Sequence, residues 1–200
     1  VNKPSIVIVS GLSGSGKSVA LRAIEDAGLF CVDNLPPQLI DSIASATTDK
    51  APGVAVGIDV REKEFLPVID SVLSSLREKY SVTIIFLEAE TEVLMRRFKE
   101  TRRPHPLMAA GDRDIKAAIE DERALLGPLR ELADRIVDTS SYTPHQLRHL
   151  MLSLYAREAA KETLSLTLVS FGFKFGVPLN VDLLFDVRFL PNPHFVPELR

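Results

Sequence analysis

The chain has 200 residues, 46% of them apolar, with no Trp, a single Cys and a net charge of −3. That length accommodates one full α/β domain, or one domain and part of another. The charge balance excludes a global pull toward nucleic acid or an anionic membrane, and the lone cysteine excludes an internal disulfide and fits a reducing cytoplasm. No apolar run reaches about 18 residues, so no membrane span is expected. No secretory leader is expected either, because Ser5 to Ser10 is too short and passes straight into a glycine motif.

Short apolar runs alternate with amphipathic stretches along the chain. Strands are predicted at Ile6–Val9, Leu29–Val32, Val54–Ile58, Val82–Leu87 and Ile136–Val137. Helices are predicted at Lys17–Ala27, Pro37–Ala46, Glu64–Lys79, Glu90–Glu100, Asp112–Leu126 and Pro144–Lys161. Val, Ile and Leu fill the strands without strict alternation, which marks strands buried on both faces. The pattern predicts an α/β fold: a P-loop kinase-like, doubly wound parallel sheet with helices on both faces. The second strand is expected to run beside the first. Near Lys161 the pattern changes. Thr163–Val169 reads as a strand, and the Phe-rich segments around Phe171–Phe175 and Leu183–Leu190 follow. Residues 1–160 are therefore read as a nucleotide-binding domain and residues 161–200 as the start of a second, C-terminal domain. The alternative is an extension of the first sheet.

The strongest motif is Gly11-Leu12-Ser13-Gly14-Ser15-Gly16-Lys17-Ser18, a full match to G-x-x-x-x-G-K-[ST] between a predicted strand and a predicted helix. Glycines let the backbone wrap a phosphate, and the N–H groups from Ser13 to Ser18, at a helix start, favour an anion. Lys17 is expected to reach the β- and γ-phosphates, and the Ser18 hydroxyl to bind Mg²⁺.

Two strands end on carboxylates. Val32 is followed by Asp33 and Asn34 and then by Pro36 and Pro37, which stop the strand. Asp33 is a candidate to orient an acceptor or a Mg²⁺-bound water; the alternative is turn chemistry, with Asn34 capping the next helix. Asp59 closes the third strand and is the preferred Mg²⁺-orienting acid, because Arg61 beside it can also meet a phosphate. Glu88, at the end of the fourth strand, is its rival. Arg96, Arg97, Lys99, Arg102 and Arg103 form a local basic cluster before Pro104-His105-Pro106. Arg102 and Arg103 are read as a mobile lid over the phosphates, and Arg96 and Lys99 as a solvated helix face. Val137–Ser140 lies where this fold often meets a base. Cys31 reads as core.

On GLSGSGKSVALRAIEDAGLFCVDNLP, GIDVRE, ETRRPHPL, IVDTS and SFGFKFGVPLNVDLLFDVRFLPNPH, which cover nearly the whole chain, the sequence closely resembles the RNase adapter protein RapZ/YvcJ family of P-loop nucleotide-binding proteins. The resemblance implies ATP at Gly11–Ser18, GTP contact at Asp59, Val60, Arg61 and Glu62, Mg²⁺, and weak nucleotide hydrolysis. For the full-length protein it implies a small regulatory RNA and an RNase as partners, an amino-sugar phosphate sensed by the C-terminal domain near Ser165 and His194, and a homo-oligomer. Three functions stay open on the residues: a regulatory nucleotide-binding protein with slow hydrolysis, a small-molecule kinase using Asp33 and the Arg102/Arg103 lid, and an RNA-binding adapter.

Overall fold

The computed structural model describes residues 3–47, 51–59, 69–101, 104–108, 114–155, 169–172, 176, 183–186 and 189. The chain divides into two compact units, Val1–Glu162 and Thr163–Arg200. In the first unit the elements run β1 (Ser5–Gly11), α1 (Lys17–Asp26), β2 (Phe30–Val32), a 3-10 turn (Pro37–Leu39) leading into α2 (Ile40–Thr47), β3 (Gly53–Gly57) and α3 (Ile69–Lys79). They continue through β4 (Ser81–Glu88), α4 (Thr91–Thr101), α5 (Ile115–Glu131), β5 (Arg135–Asp138) and α6 (Pro144–Tyr155). The described residues of the second unit carry no helix or strand. The strand expected at Thr163–Val169 lies outside the described residues except for Val169.

The five strands form a parallel sheet in the order β2-β3-β1-β4-β5. This corrects one expectation: β3, not β2, runs beside β1, and β2 is an edge strand. Burial explains the order. All five residues of β3 are buried, whereas Phe30 of β2 is exposed. A strand covered on both faces belongs inside the sheet, and a three-residue strand ending at two prolines suits an edge.

Alternation along β1 sends Ile6 and Ile8 to one face and Val7 and Val9 to the other. Ile6 and Ile8 join Ile40 and Ala44 of α2, Ile69, Leu73 and Leu76 of α3, and Leu129 of α5 in one core. Val7 and Val9 join Ala20, Leu21 and Ile24 of α1, and Leu147 and Met151 of α6, in a second. A third cluster, built from Leu12, Phe86, Leu94, Ile119 and Leu126, lies under the glycine loop.

Helix α5 runs past the predicted end at Leu126, through Gly127 and Pro128, to Glu131. Gly-Pro is a helix-breaking pair in most settings. Here the fully buried Leu126 and Leu129 hold the last turn down, and Leu132 N–H reaches the Pro128 carbonyl.

Candidate functional site

The glycine loop joins the carboxyl end of β1, the central strand, to the amino end of α1. Parallel sheets collect their sites at this edge, because every strand delivers its last residue there and the helix starts face it. Gly16 is the N-cap of α1 with φ +105, a left-handed conformation that L side chains rarely adopt, and a Cβ there would meet Leu147 Cδ2 at 2.5 Å.

Two of the six loop amides expected to face a ligand are already committed. Ser15 N–H donates to the Leu12 carbonyl at 3.0 Å, closing a turn. Ser13 N–H donates to Glu122 Oε2 of α5 at 2.9 Å, and Ser13 Oγ donates to Glu122 Oε1 at 2.6 Å. Ser13 thus turns its polar groups toward α5 and away from the concavity, which corrects the expectation of a continuous run of amides from Ser13. Among the described residues, the amides of Gly14, Gly16, Lys17 and Ser18 have no protein acceptor. Lys17 Nζ donates to the Gly11 carbonyl at 2.7 Å, folding across the loop mouth.

A cleft of about 780 Å³ opens over the loop. Its floor is Ser13 to Val19, one wall carries Asp59, a second carries Arg96, Arg97 and Thr101 of α4, and a third is Thr139–Pro144. Asp59 Oδ1 is buried and has no hydrogen-bond partner among the described residues. An unpartnered buried carboxylate oxygen is costly. Together with the exposed Ser18 hydroxyl it supplies hard oxygen donors of the kind Mg²⁺ takes, and Mg²⁺ needs only one or two from protein when phosphates and water complete its shell. The residues fit that ion. Among the described residues no group of three His, Cys, Asp or Glu side chains could hold a metal by itself.

Glu88, the rival acid, is engaged elsewhere. Arg130 Nε and Nη2 clasp its two oxygens at 2.7 and 3.0 Å. That bidentate pair holds the Glu88 carboxyl below its ordinary range. Asp33 is exposed and does not line the cleft; its Oδ1 accepts from Asn34 N–H at 2.9 Å. Asn34 has φ +52, and the 3-10 turn is led by Pro36, so Asn34 is not a helix cap. Arg96 and Lys99 are exposed on α4. Arg102, Arg103, Val60, Arg61, Glu62, Ser165 and His194 lie outside the described residues.

Four residues organise the site: Arg97 of the basic cluster, Thr139 of the segment after β5, His105 of the Pro-His-Pro break, and Glu122, which no motif marks. Arg97 Nη1 donates to the Gly14 carbonyl at 3.0 Å, and its Nη2 donates to the Thr139 carbonyl at 2.7 Å. One guanidinium therefore ties the glycine loop to the segment after β5. Thr139 Oγ1, itself buried, donates to the Ser15 carbonyl at 2.9 Å. Glu122 is 0% exposed, and His105, at 1%, places Nε2 3.1 Å from Glu122 Oε2. Burial pushes the Glu122 carboxyl up. Hydrogen bonds from His105 and Ser13 and the nearby Lys17 charge outweigh it, so the group stays below its ordinary range.

Comparison with known proteins fits this geometry. Residues 5–158 match the family profile described as RapZ-like N-terminal domain, and residues 164–200 match that of the RapZ C-terminal domain. A nucleotide-binding protein of Thermodesulfovibrio yellowstonii is 47% identical over 196 residues, covering 97% of this chain and 68% of that protein. Among solved structures, a sugar kinase from Janibacter gives a TM-score of 0.53 at 19% identity, covering 78% of this chain and 96% of its own. Shikimate kinase from Bacteroides thetaiotaomicron gives 0.52 at 11% identity, covering 75% and 97%. At those identities the kinases show the fold alone, a P-loop kinase-like α/β sheet. The matched profiles and the relative's identity show that the chain belongs to the RapZ-like family.

Proposed function

We propose that residues 1–160 form a nucleoside triphosphate-binding domain whose phosphates sit on the amides of Gly14, Gly16, Lys17 and Ser18. Mg²⁺ is held by Ser18 and Asp59, and Lys17 swings from Gly11 to the β- and γ-phosphates. The observation that carries this reading is the unpartnered Asp59 Oδ1, buried in the cleft that Lys17 and Ser18 also line. When bound, the ion neutralises phosphate charge; the chain's own part is to orient the phosphates and shield them. The base lies between Arg97 and Thr139–Pro144. ATP is the expected ligand, with GTP contact through Asp59, Val60, Arg61 and Glu62.

The reading extends to a regulatory protein of the cytoplasm with weak hydrolysis, in which residues 161–200 begin the C-terminal domain. RNase-adapter action, a small regulatory RNA, an amino-sugar phosphate and homo-oligomerisation belong to the full-length protein. The relative's description as a nucleotide-binding protein and the family membership support this reading. The kinase alternative, with Asp33 activating an acceptor under an Arg102/Arg103 lid, draws support from the kinase-like fold alone. The exposed position of Asp33 outside the cleft disfavours it.

Calorimetric titration with ATP tests the proposal in Mg²⁺ and again in EDTA. Lys17→Ala is expected to weaken binding by roughly a hundredfold or more, since it removes charged hydrogen bonds each contributing about 1.5–3 kcal/mol. Asp59→Asn is expected to abolish the gain that Mg²⁺ gives while leaving the EDTA affinity unchanged. Wild-type affinity in Lys17→Ala, or a Mg²⁺ gain preserved in Asp59→Asn, defeats the assignment.

A further inference from the structure

The buried cluster beneath the loop has the chemistry of a lock. Glu122 accepts three hydrogen bonds: from Ser13 N–H at 2.9 Å, from Ser13 Oγ at 2.6 Å, and from His105 Nε2 at 3.1 Å. The other ring nitrogen sets the tautomer. Leu107 N–H donates to His105 Nδ1 at 3.2 Å, so Nδ1 carries no proton and Nε2–H is the donor. An imidazolium would set two donors, Nδ1–H and Leu107 N–H, against each other. The cluster is thus a neutral histidine donating to a buried carboxylate. A carboxylate with no solvent exposure demands that all its donors stay in place.

The three partners come from three separate pieces of chain. Ser13 belongs to the glycine loop, Glu122 to α5, and His105 to the segment 104–108 that follows α4. The His105 ring also packs on Phe98 of α4, with centroids 5.1 Å apart and planes tilted by 55°. A Cβ placed on Gly14 would lie 3.5 Å from the same Phe98 ring, so that ring lies beside the loop too. The loop and the segment after α4 therefore share one charged anchor and one aromatic neighbour.

We propose that Glu122 is a positioning residue that clamps the leading half of the phosphate loop and, through His105, couples that loop to residues 104–108. The clamp turns the Ser13 amide and hydroxyl away from the ligand, so the amides open to it begin at Gly14, while Ser13 still lines the cleft floor. Because coupling is reciprocal, a ligand that orders the loop also orders the 104–108 segment, and displacement of that segment loosens the loop. The functional half of this inference rests on the nucleotide-binding reading; the mechanical half does not.

Residue-resolved amide exchange, with and without MgATP, separates the two. In the protein without nucleotide, His105→Ala is expected to lower protection of the Ser13 amide at least about tenfold relative to core amides such as Val7 and Ile85, the loss of one hydrogen bond to a charged group. His105→Gln, whose side-chain amide can still donate to Glu122, is expected to restore most of it. Adding MgATP to the wild type is expected to raise protection at Leu107, and His105→Ala is expected to weaken MgATP binding by roughly ten- to a hundredfold. Ser13 protection that falls only in step with Val7 and Ile85 overturns the coupling, as does equal loss in the Ala and Gln variants. If the wild type binds no MgATP, the nucleotide reading fails while the Ser13 exchange still decides the clamp. Should His105→Ala not fold, Ser13→Ala, which removes one of the three bonds, must lower Leu107 protection, and unchanged protection there overturns the proposal.

Discussion

Gly11→Ala, at the junction of β1 with the glycine loop, is expected to destabilise the first unit severely, and the structure sets the scale. Gly11 has φ +140, and a Cβ there would lie 2.7 Å from the Leu87 backbone carbon and nitrogen and closer still to the Leu87 carbonyl oxygen. That oxygen is the acceptor for Leu12 N–H at 3.0 Å, so β1 and β4 cannot part without losing the bond. Strain at such a φ costs about 1–3 kcal/mol, and forcing a methyl into packed backbone costs about 1–3 kcal/mol more. The sum, about 2–6 kcal/mol, is a large part of the roughly 5–15 kcal/mol that holds a domain together. At about 2–4 °C per kcal/mol for a unit of this size, the melting temperature is expected to fall by roughly 5–20 °C. Gly127→Ala is the internal control. Gly127 lies within α5 and, chain neighbours aside, its added Cβ meets nothing within 4 Å; the helix preference for alanine is offset by the crowding of Pro128 against a preceding Cβ, so a change within about 1 kcal/mol is expected. Thermal melts followed by far-ultraviolet circular dichroism compare the two. If Gly11→Ala melts within a degree or two of wild type, or level with Gly127→Ala, the close approach of β1 to β4 is not what this reasoning requires.

Two further outcomes follow from groups whose ionisation the fold shifts. Glu122 is held below its ordinary value of 4.5, so its contribution is present above that pH and is lost as pH falls through the folded value. Glu122→Gln is expected to be less stable at pH 7 and to show a shallower loss of stability below pH 4.5 in denaturant titrations; a parallel, undiminished acid limb contradicts the network. Cys31 is pushed up to about 12 by burial and by the Glu25 charge. Iodoacetamide at pH 8 is expected to alkylate it far more slowly in the native protein than in urea, where a thiol near its ordinary pKa of about 8.5 reacts; equal rates refute this.

The loop and the acid after β3 were legible because each is written in local chemistry. Glycines at fixed offsets before Lys17 can serve only a backbone that must approach something closely, and an apolar strand ending in Asp59 can only present that acid at the sheet's edge. The order of strands was not legible. Apolar content says that a strand is covered on both faces but not which neighbour it takes, so it does not tell β2 from β3 as the partner of β1. Glu122 was hidden among the charges of Glu120, Asp121 and Arg123. A signal existed: Ile119, Glu122, Leu126 and Leu129 repeat at spacings of three, four and three, placing a carboxylate on the apolar stripe. A charged residue in that position must be buried and paired. Arg97 gave no comparable sign, because its acceptors, the Gly14 and Thr139 carbonyls, are backbone groups that composition does not reveal.

The separation in sequence between the loop and its anchors bears on how the protein is made. Ser13 waits 109 residues for Glu122, and Ser15 waits 124 for Thr139. At translation speeds of about 5–20 residues per second, that is roughly 5 to 25 seconds. Within the first unit, the anion nest leaves the ribosome well before the anchors that give it its final shape. A nucleotide can therefore stabilise the finished domain by mass action but cannot template its early folding. A nascent chain stalled before α5 would expose an incomplete cradle to the quality-control machinery.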